Sequence, residues 1–387
     1  MDVTRDQIAW YRLRRSGLIE PFSTPEECAN ALFGTQAQIH TAGGLALWNR
    51  CGKGLSLEEY ERQLYDDRTL VKLWGQRGTL HVYDAQDWSL VIGSRGNGPT
   101  WSERSLVKQG GDVNKFHAII DRIRKIAERE GTISRSRLRA EETIDWDVGV
   151  DEDLLSSWGG LFSQPVVDGT LCHIRPQGGE GKFAHRSHWL PDLQWDPPTF
   201  QEADIELARR FLHTFGPSTV REYAYWRGIT QTRAKAGIEG LGAEVVQVVC
   251  GKGELLILRD DIGELSETPP PRAMWPVKLL YRFDPFLLGH KDKSWLVDMK
   301  FYDRVWIAAG HINGTILAGG KLQGTWNYKR KGSGKRIGSG GGTGARLNVE
   351  VRPFRKFGKG LVRKVEKEAK GVAGFFGVEL GQVTWVE

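Results

Sequence analysis

The sequence predicts an α+β protein: three tandem winged helix-turn-helix units followed by a mostly β C-terminal region. Three observations carry that reading. Helix, turn, helix and short strand pair recur along residues 1–268 in element order, though not at a fixed residue period. A proline- and acid-rich stretch from Leu265 to Pro276 then reads as a linker. Beyond it, short strand-like pieces dominate. The divisions that follow are 1–105, 106–195 and 196–268 for the three units and 276–387 for the C-terminal region.

The elements can be justified in order. Thr4 to Ser16 spaces Ile8, Trp10, Tyr11 and Leu13 among arginines, and Ser23-Thr24-Pro25-Glu26-Glu27 has the hydroxyl, proline and early acids of a helix start. A third helix is predicted over Ser56 to Tyr65, and Leu70 to Tyr83 alternates around Gly78 as a hairpin would. In the second unit, Phe116, Ile119, Ile120, Ile123 and Ile126 mark a helix, and Gly131 to Ser136 turns into another. A helix around Leu154 to Leu161 and strands over VVDGTLCHI and Phe183 to Trp189 complete it. The third unit has helices over Gln201 to Thr214 and Val220 to Arg227, with strands over Glu244 to Val249 and Glu254 to Arg259. For the C-terminal region we expect strands at Trp295 to Asp298, Val305 to Ala309, Thr315 to Ala318, Leu347 to Val351 and Gln382 to Val386, and a helix from Phe357 to Ala373.

Composition limits the function classes. Of 387 residues, 40% are hydrophobic and 26% charged, an ordinary globular balance with length for several domains. The apolar runs fall far below the roughly 18 residues of a spanning helix, and MDVTRDQIAW lacks a basic patch followed by an apolar stretch. A cytoplasmic location without membrane partners is therefore expected. Cys28, Cys51, Cys172 and Cys250 are scattered, which argues against a zinc site or disulfide framework. Charge is unevenly placed: residues 271–387 hold 22 Lys and Arg against 9 Asp and Glu, a net +13, while the rest holds 32 against 39. That asymmetry points to a polyanion, nucleic acid before membrane.

Few residues could carry chemistry. Gln36 and Gln38 lie on one side of an extended or turn-like segment, where two uncharged amides can hold a water, or else cap backbone groups at a helix end. In Arg77-Gly78-Thr79-Leu80-His81, a wing turn, Arg77 and His81 can reach phosphates; the plainer alternative is an exposed hairpin. His185 and His188 lack a third ligand nearby, so no metal is expected, and Asp145, Asp147, Asp151, Glu152 and Asp153 read as a solvated acidic loop. The run from Lys329 to Gly342 is glycine-rich and cationic through Lys329, Arg330, Lys331, Lys335 and Arg336. Gly344 leads into Ala345-Arg346 and a strand, so this is neither a P-loop nor a dinucleotide motif. Contact with a nucleic-acid backbone is its functional reading, and a plain solvent loop the alternative. The strand and helix tryptophans read as core more readily than as base-stacking platforms.

Taken together, QAQ at 36–38 followed by His40, RGTLH at 77–81, RFDPFLLGHKD at 282–292 and GHINGTILAGGKLQGTW at 310–326 resemble the winged-helix DNA glycosylases of the AlkZ and YcaQ type, in family order and over nearly the whole chain. The resemblance implies three winged helices that scaffold a basic concave surface for duplex DNA. It also implies a Q-x-Q or Q-x-D motif essential for base excision, here Gln36 and Gln38. Glutamine at the second position resembles the AlkZ branch, which removes N7-alkylguanine adducts and interstrand crosslinks, and not the YcaQ branch with its broader crosslink range. The substrate implied is double-stranded DNA bearing alkylated or crosslinked purines, bound by a monomer that needs no cofactor. Gln36 and Gln38 are assigned to catalysis, and His40, Arg77, His81, Lys329, Arg330, Lys331, Lys335 and Arg336 to DNA contact. The DNA-entering hairpin of the family maps to residues 326–349, whose glycine-rich expansion departs from the family pattern. A cationic N7-alkylpurine leaves without protonation, so neutral glutamines suffice to place a water, and no Schiff base is expected where the motif has no lysine. A winged-helix regulator without catalysis and an RNA-binding factor are the competing readings.

Overall fold

The chain starts on a doubly capped helix. Thr4 Oγ accepts the Gln7 amide at 3.1 Å while Gln7 Oε1 accepts the Thr4 amide at 2.9 Å, so α1 (Arg5–Arg15) begins with two otherwise orphaned donors satisfied. In α2 (Pro25–Leu32) Thr24 caps the Glu27 amide and proline opens the first turn. Two left-handed residues, Phe33 and Gly34, turn the chain into the two-residue strand β1 (Thr35–Gln36), followed by α3 (His40–Trp48) and α4 (Leu57–Tyr65). The hairpin of β2 (Leu70–Trp74) and β3 (Leu80–Asp84) leads to α5 (Trp88–Gly93), α6 (Trp101–Lys108) and α7 (Val113–Glu130). Then come β4 (Thr132–Ser134), α8 (Arg135–Arg139), α9 (Ser163–Val167), β5 (Leu171–Gln177), β6 (Glu180–His185) and α10 (Arg186–Trp189). Next are α11 (Phe200–Phe215), α12 (Val220–Arg227), α13 (Gln231–Glu239), the hairpin of β7 (Val245–Cys250) and β8 (Gly253–Leu258), and α14 (Ile262–Leu265). The C-terminal region holds β9 (Val277–Leu280), α15 (Pro285–Leu288), α16 (Tyr302–Val305), β10 (Gly314–Ala318), β11 (Lys321–Lys331), β12 (Arg346–Pro353), α17 (Lys359–Phe375) and β13 (Glu379–Trp385).

This computed structural model describes residues 1–51, 54–95, 98–148, 160–332 and 344–386, and the chain divides into two units, Met1–Glu61 with Asp204–Glu387, and Arg62–Ala203. The α+β class expected from the sequence is the class observed. No helix of the described residues is long and apolar enough to cross a membrane. In the second unit five strands stand in the order β3-β2-β5-β6-β4. They share the unit with α7, whose Phe116, Ile119, Ile120, Ile123 and Ile126 are buried at helical spacing.

The larger unit is organised by a sheet of order β13-β12-β11-β10-β9, antiparallel except for β12 and β13, which α17 joins as a parallel crossover. Both faces of the sheet are covered. Leu279 and Ile316 pack with Val365, Ala369 and Val372 of α17 and with Ala42 and Leu45 of α3. Their chain neighbours Leu280 and Leu317 point the other way, into a cluster with Ala9 and Leu13 of α1 and with Trp275 and Phe286. Each fully buried leucine, isoleucine, valine or phenylalanine among them contributes about 1.5–3 kcal/mol. Gly319 and Gly320, both at positive φ, form the two-residue turn between β10 and β11 that a side chain would strain.

One ion pair ties α3 to this body. Arg50 directs Nη1 and Nη2 to the two carboxylate oxygens of Asp284 at 2.9 and 2.6 Å, and both residues are buried. Arg50 also donates to the Ser16 and Ala46 carbonyls, while Asp284 accepts the Phe286 amide at 2.9 Å. Burial pulls the Arg50 guanidinium down, but Asp284 outweighs that and its pKa lies above the ordinary value. Part of the RFDPFLLGHKD segment is thereby explained as architecture: Asp284 holds Arg50, and His290 Nε2 meets the Phe215 carbonyl at 2.8 Å.

Several expected elements differ. The stretch 295–298 is a turn that buries Leu296 and Val297, whose amides both bond the Lys293 carbonyl, and Val305 closes α16; apolar residues there reflect burial, not strand alternation. VVDGTLCHI divides between the end of α9 and β5, because Asp168 accepts the Thr170 amide in a tight turn. Phe183 to Trp189 divides between β6 and α10. Helices α3, α5, α6 and α13 were not expected, and most of the helix expected at 154–161 lies outside the described residues.

The ion pair yields a stability test. Asp284→Asn leaves the Arg50 charge buried without its partner, so the unfolding free energy of the full chain, followed by urea titration, is expected to fall by about 3–5 kcal/mol. A loss below about 1 kcal/mol would contradict that role.

Candidate functional site

The Gln36–Gln38 segment is short and held at both ends. At its start, the Gly34 amide bonds the Ala29 carbonyl at 2.7 Å and the buried Phe33 ring lies 6.3 Å from Trp226 of α12. Gln36 ends β1 and is buried at 7% exposure, Ala37 is fully buried, and Gln38 is half-buried in the bend before α3. At its end, Ile39 packs against the core beneath the β9–β13 sheet.

Gly43 lets that segment approach α3, and Gly44 lets Tyr60 and Phe375 do so. A Cβ at Gly43 would stand 3.0 Å from Ala37 Cβ, and one at Gly44 would stand 2.9 Å from both Tyr60 and Phe375. A larger residue at 43 would push the motif off the helix, and one at 44 would displace Tyr60 or Phe375. His40, the first residue of α3, sets Nε2 3.2 Å from Glu61 Oε1, and its ring centroid lies 5.1 Å from that of Tyr60.

The next residue makes the contact that joins motif to hairpin: Thr41 Oγ1 and Tyr328 Oη are 3.1 Å apart. Tyr328 is on β11 and packs its ring 5.1 Å from Tyr281 and 4.9 Å from Phe376. Directly beyond it, Lys329, Arg330 and Lys331 are exposed, with Lys331 opposite the exposed Arg346 of β12 in an antiparallel ladder. Arg330 lies 5.7 Å over the Phe376 ring, which steadies the base of the hairpin. Lys335 and Arg336 lie outside the described residues. Thus Gln36, Gln38 and His40 belong to one compact unit together with the described cations of the hairpin.

Arg77 and His81 belong to the other unit. Arg77 sits at φ +54 in the turn between β2 and β3, its Nη1 3.3 Å from Gln76 Oε1. His81 is 3% exposed with Nδ1 3.0 Å from the Thr79 carbonyl, so it faces the interior where the sequence suggested a phosphate contact. Burial and the Arg77 charge push its pKa to about 3, leaving a neutral imidazole. Among the described residues no cluster of His, Cys, Asp or Glu has the proximity of a metal site; His188 Nε2 is engaged by the Glu128 carbonyl at 2.8 Å.

Sequence reasoning missed Glu61, Thr41, Tyr328 and the Arg50–Asp284 pair. His40 and Glu61 are 21 residues apart, and Thr41 and Tyr328 are 287 apart, so no local spacing could announce them. The one available signal was position: Tyr328 immediately precedes the basic run.

Comparison with known proteins gives three findings. The family model described as DNA glycosylase AlkZ-like matches residues 29–375. An interstrand DNA cross-link repair glycosylase of Streptomyces sahachiroi is 25% identical over 393 residues, covering 97% of this chain and 96% of the relative. The solved structure of the Streptomyces sahachiroi DNA glycosylase AlkZ superposes with a TM-score of 0.81 at 24% identity over the full length of both chains, which establishes the likeness of fold.

The state of His81 can be checked directly. Below its ordinary value near 6.5 the unfolded chain takes up a proton that the folded chain refuses down to about pH 3, so this histidine lowers stability as the pH falls through that window. NMR titration of the His81 ring is expected to show no ionisation between about pH 5 and 8; a midpoint near 6.5 would contradict the buried, neutral assignment.

Proposed function

The chain belongs to the DNA glycosylase AlkZ-like family, and on that premise we propose that it hydrolyses the N-glycosidic bond of alkylated purines in duplex DNA. N7-alkylguanine adducts are the proposed substrates, and interstrand crosslinks formed through the same N7 atom are unhooked by the same step. The observation that carries this reading is the fastening of the Gln36–Gln38 segment, through α3 and the Thr41–Tyr328 contact, to the base of the cationic β11–β12 hairpin. A charged hairpin suited to phosphates and an uncharged pair suited to a water are thereby parts of one scaffold.

The chemistry fits the residue types. N7 alkylation places a formal positive charge on the purine, which weakens the glycosidic bond and lets the base depart as a neutral molecule. The remaining demand is to steady an oxocarbenium-like sugar and direct a water at C1′. In our reading the Gln36 and Gln38 amide oxygens accept hydrogen bonds from that water and face the developing charge, as preorganised dipoles that need no reorientation. His40, turned toward Glu61, positions the first turn of α3 beside the motif. Lys329, Arg330 and Lys331 neutralise backbone phosphates, with Lys335 and Arg336 assigned to the same task from sequence. We assign three wings to the β2–β3, β5–β6 and β7–β8 hairpins, with a single chain as the working unit. The motif contains no lysine, so the enzyme is read as monofunctional.

The test is single-turnover release of N7-methylguanine from a duplex, repeated on an N7-crosslinked duplex. Gln36→Ala and Gln38→Ala are each expected to slow release by about 10²–10³-fold with duplex affinity retained, and borohydride to trap no protein–DNA adduct. Unchanged rates in both variants would remove the glutamines from catalysis, and intact duplex binding without excision by the wild type would favour a DNA-binding regulator.

A further inference from the structure

We infer that the outer face of α17 is a second track for the sugar-phosphate backbone of duplex DNA, apart from the cationic hairpin, and that it grips one flank of the duplex beyond the lesion. The inference rests on duplex DNA being the substrate, as proposed above. Lys359, Arg363, Lys367 and Lys370 are all exposed. At 3.6 residues per turn they fall within an arc of roughly 80°, so they form one stripe about 16 Å long. The inner face is already occupied: Val365, Ala369, Val372 and Ala373 are buried in the core against the sheet, and a Cβ at Gly371 would stand 2.8 Å from Trp48.

The stripe is not neutralised. Among the described residues none of its four cations has a carboxylate within ion-pair distance. Two acids share the helix: Glu368 is half-buried and acts chiefly on Lys278 of β9 and less on Lys367, and Glu366 is exposed at the border of the stripe. Over residues 359–370 five cations, Lys364 included, face those two acids, a net +3. Cations on other helices of the same unit are ion-paired, the exposed Lys235 with Glu239 at 3.5 Å and Arg209 with Glu244 at 2.7 Å.

The arrangement also works against the helix itself. Cations at i, i+4 and i+8 repel along one face, and Lys359 lies in a first turn that holds no acid, at the positive end of the helix dipole. Gly358 at the N-cap offers no side-chain oxygen. Local rules broken together on one exposed stripe mark a functional surface, here one that an anionic partner would balance.

Duplex DNA fits that stripe better than a membrane does. A membrane-surface helix immerses an apolar face beside its cations, whereas the apolar face of α17 is inside the core. Each DNA strand carries one charge per roughly 3.4 Å of axis, so a stripe of about 16 Å matches about five phosphates. The stripe is also continuous with the hairpin, since Phe376, directly after α17, lies 4.9 Å from Tyr328 and has Arg330 over its ring at 5.7 Å. Lys370 precedes Phe376 by six residues and Lys359 by seventeen, about 9 and 26 Å of helix. Laid along the duplex axis, those distances correspond to about three to eight base pairs from the base of the hairpin.

The test is fluorescence anisotropy of the full chain with a duplex of about 25 base pairs carrying a central 2′-fluoro N7-methylguanine nucleotide, which resists excision. In the triple variant Arg363→Gln, Lys367→Gln, Lys370→Gln, the slope of log Kd against log salt is expected to fall by about 2 to 3, and affinity at about 0.1 M salt by about tenfold or more. Cutting one arm of the duplex from about 12 to about 3 base pairs is expected to weaken the wild type to the same degree and to leave the triple variant unaffected. The thermal midpoint of the variant is expected at or above that of the wild type, because repulsion along the helix is relieved. An unchanged salt slope, or a loss of affinity equal on long and short arms, would overturn the inference. So would lost binding to phosphatidylserine vesicles with duplex affinity intact, which would assign the stripe to a membrane. Binding is read apart from base release, so this surface and the proposed excision fail independently.

Discussion

Arg50 and Asp284 are separated by more than half the chain and meet with both charges inside the protein. Such a pair is costly to desolvate, and its attraction repays the cost only when geometry is good and remaining hydrogen bonds are met. Here they are: the guanidinium reaches Asp284, Ser16 and Ala46, and the carboxylate takes the Phe286 amide. Arg50 lies just beyond the last residue of α3, so the pair fixes that end of the helix against the body built from the C-terminal strands. Nine residues of helix span about 13 Å, and at the opposite end stand Gln38, His40 and the Thr41–Tyr328 contact. Fixing both ends leaves the glutamine segment little freedom to drift relative to the hairpin, which an argument from preorganised dipoles requires.

The cost of that arrangement is visible in the residues that line it. Gly43 and Gly44 lower the helix propensity of α3, yet any side chain there would meet Ala37, Tyr60 or Phe375. The helix also has no side-chain cap, since Ile39 occupies the N-cap and is used for packing instead. Local stability has been given up where close approach to the motif is needed, and tertiary contact with the sheet and α17 offsets it.

What the sequence made legible follows from range. Capping residues and helical spacing are local, so α1, α11, α12 and α17 could be expected within a few residues of their observed limits, and so could the start of α2 and the buried face of α7. The hairpins at 70–84 and 245–258 were legible for the same reason. α3 was not, because HTAGGLALW reads as small and apolar on every side; it is a helix surrounded by core. Trp295 to Val297 misled in the opposite sense, with strand-like residues in a turn packed against α1 and α15. Of the candidate site, residue types and the basic run could be read directly, but Glu61 and Tyr328 arrive through contacts the fold alone creates. His81 shows the limit of reading charge from a motif: a residue able to meet phosphate was placed inside instead.

The central claim is that Gln36 and Gln38 act together on one water. A double-mutant cycle on the single-turnover rate of N7-methylguanine release tests it most directly, comparing Gln36→Ala, Gln38→Ala and the double variant. Two residues serving one water should be strongly non-additive, the double variant falling within about tenfold of the slower single one. Fully additive losses would mean two independent contributions, and would contradict the account.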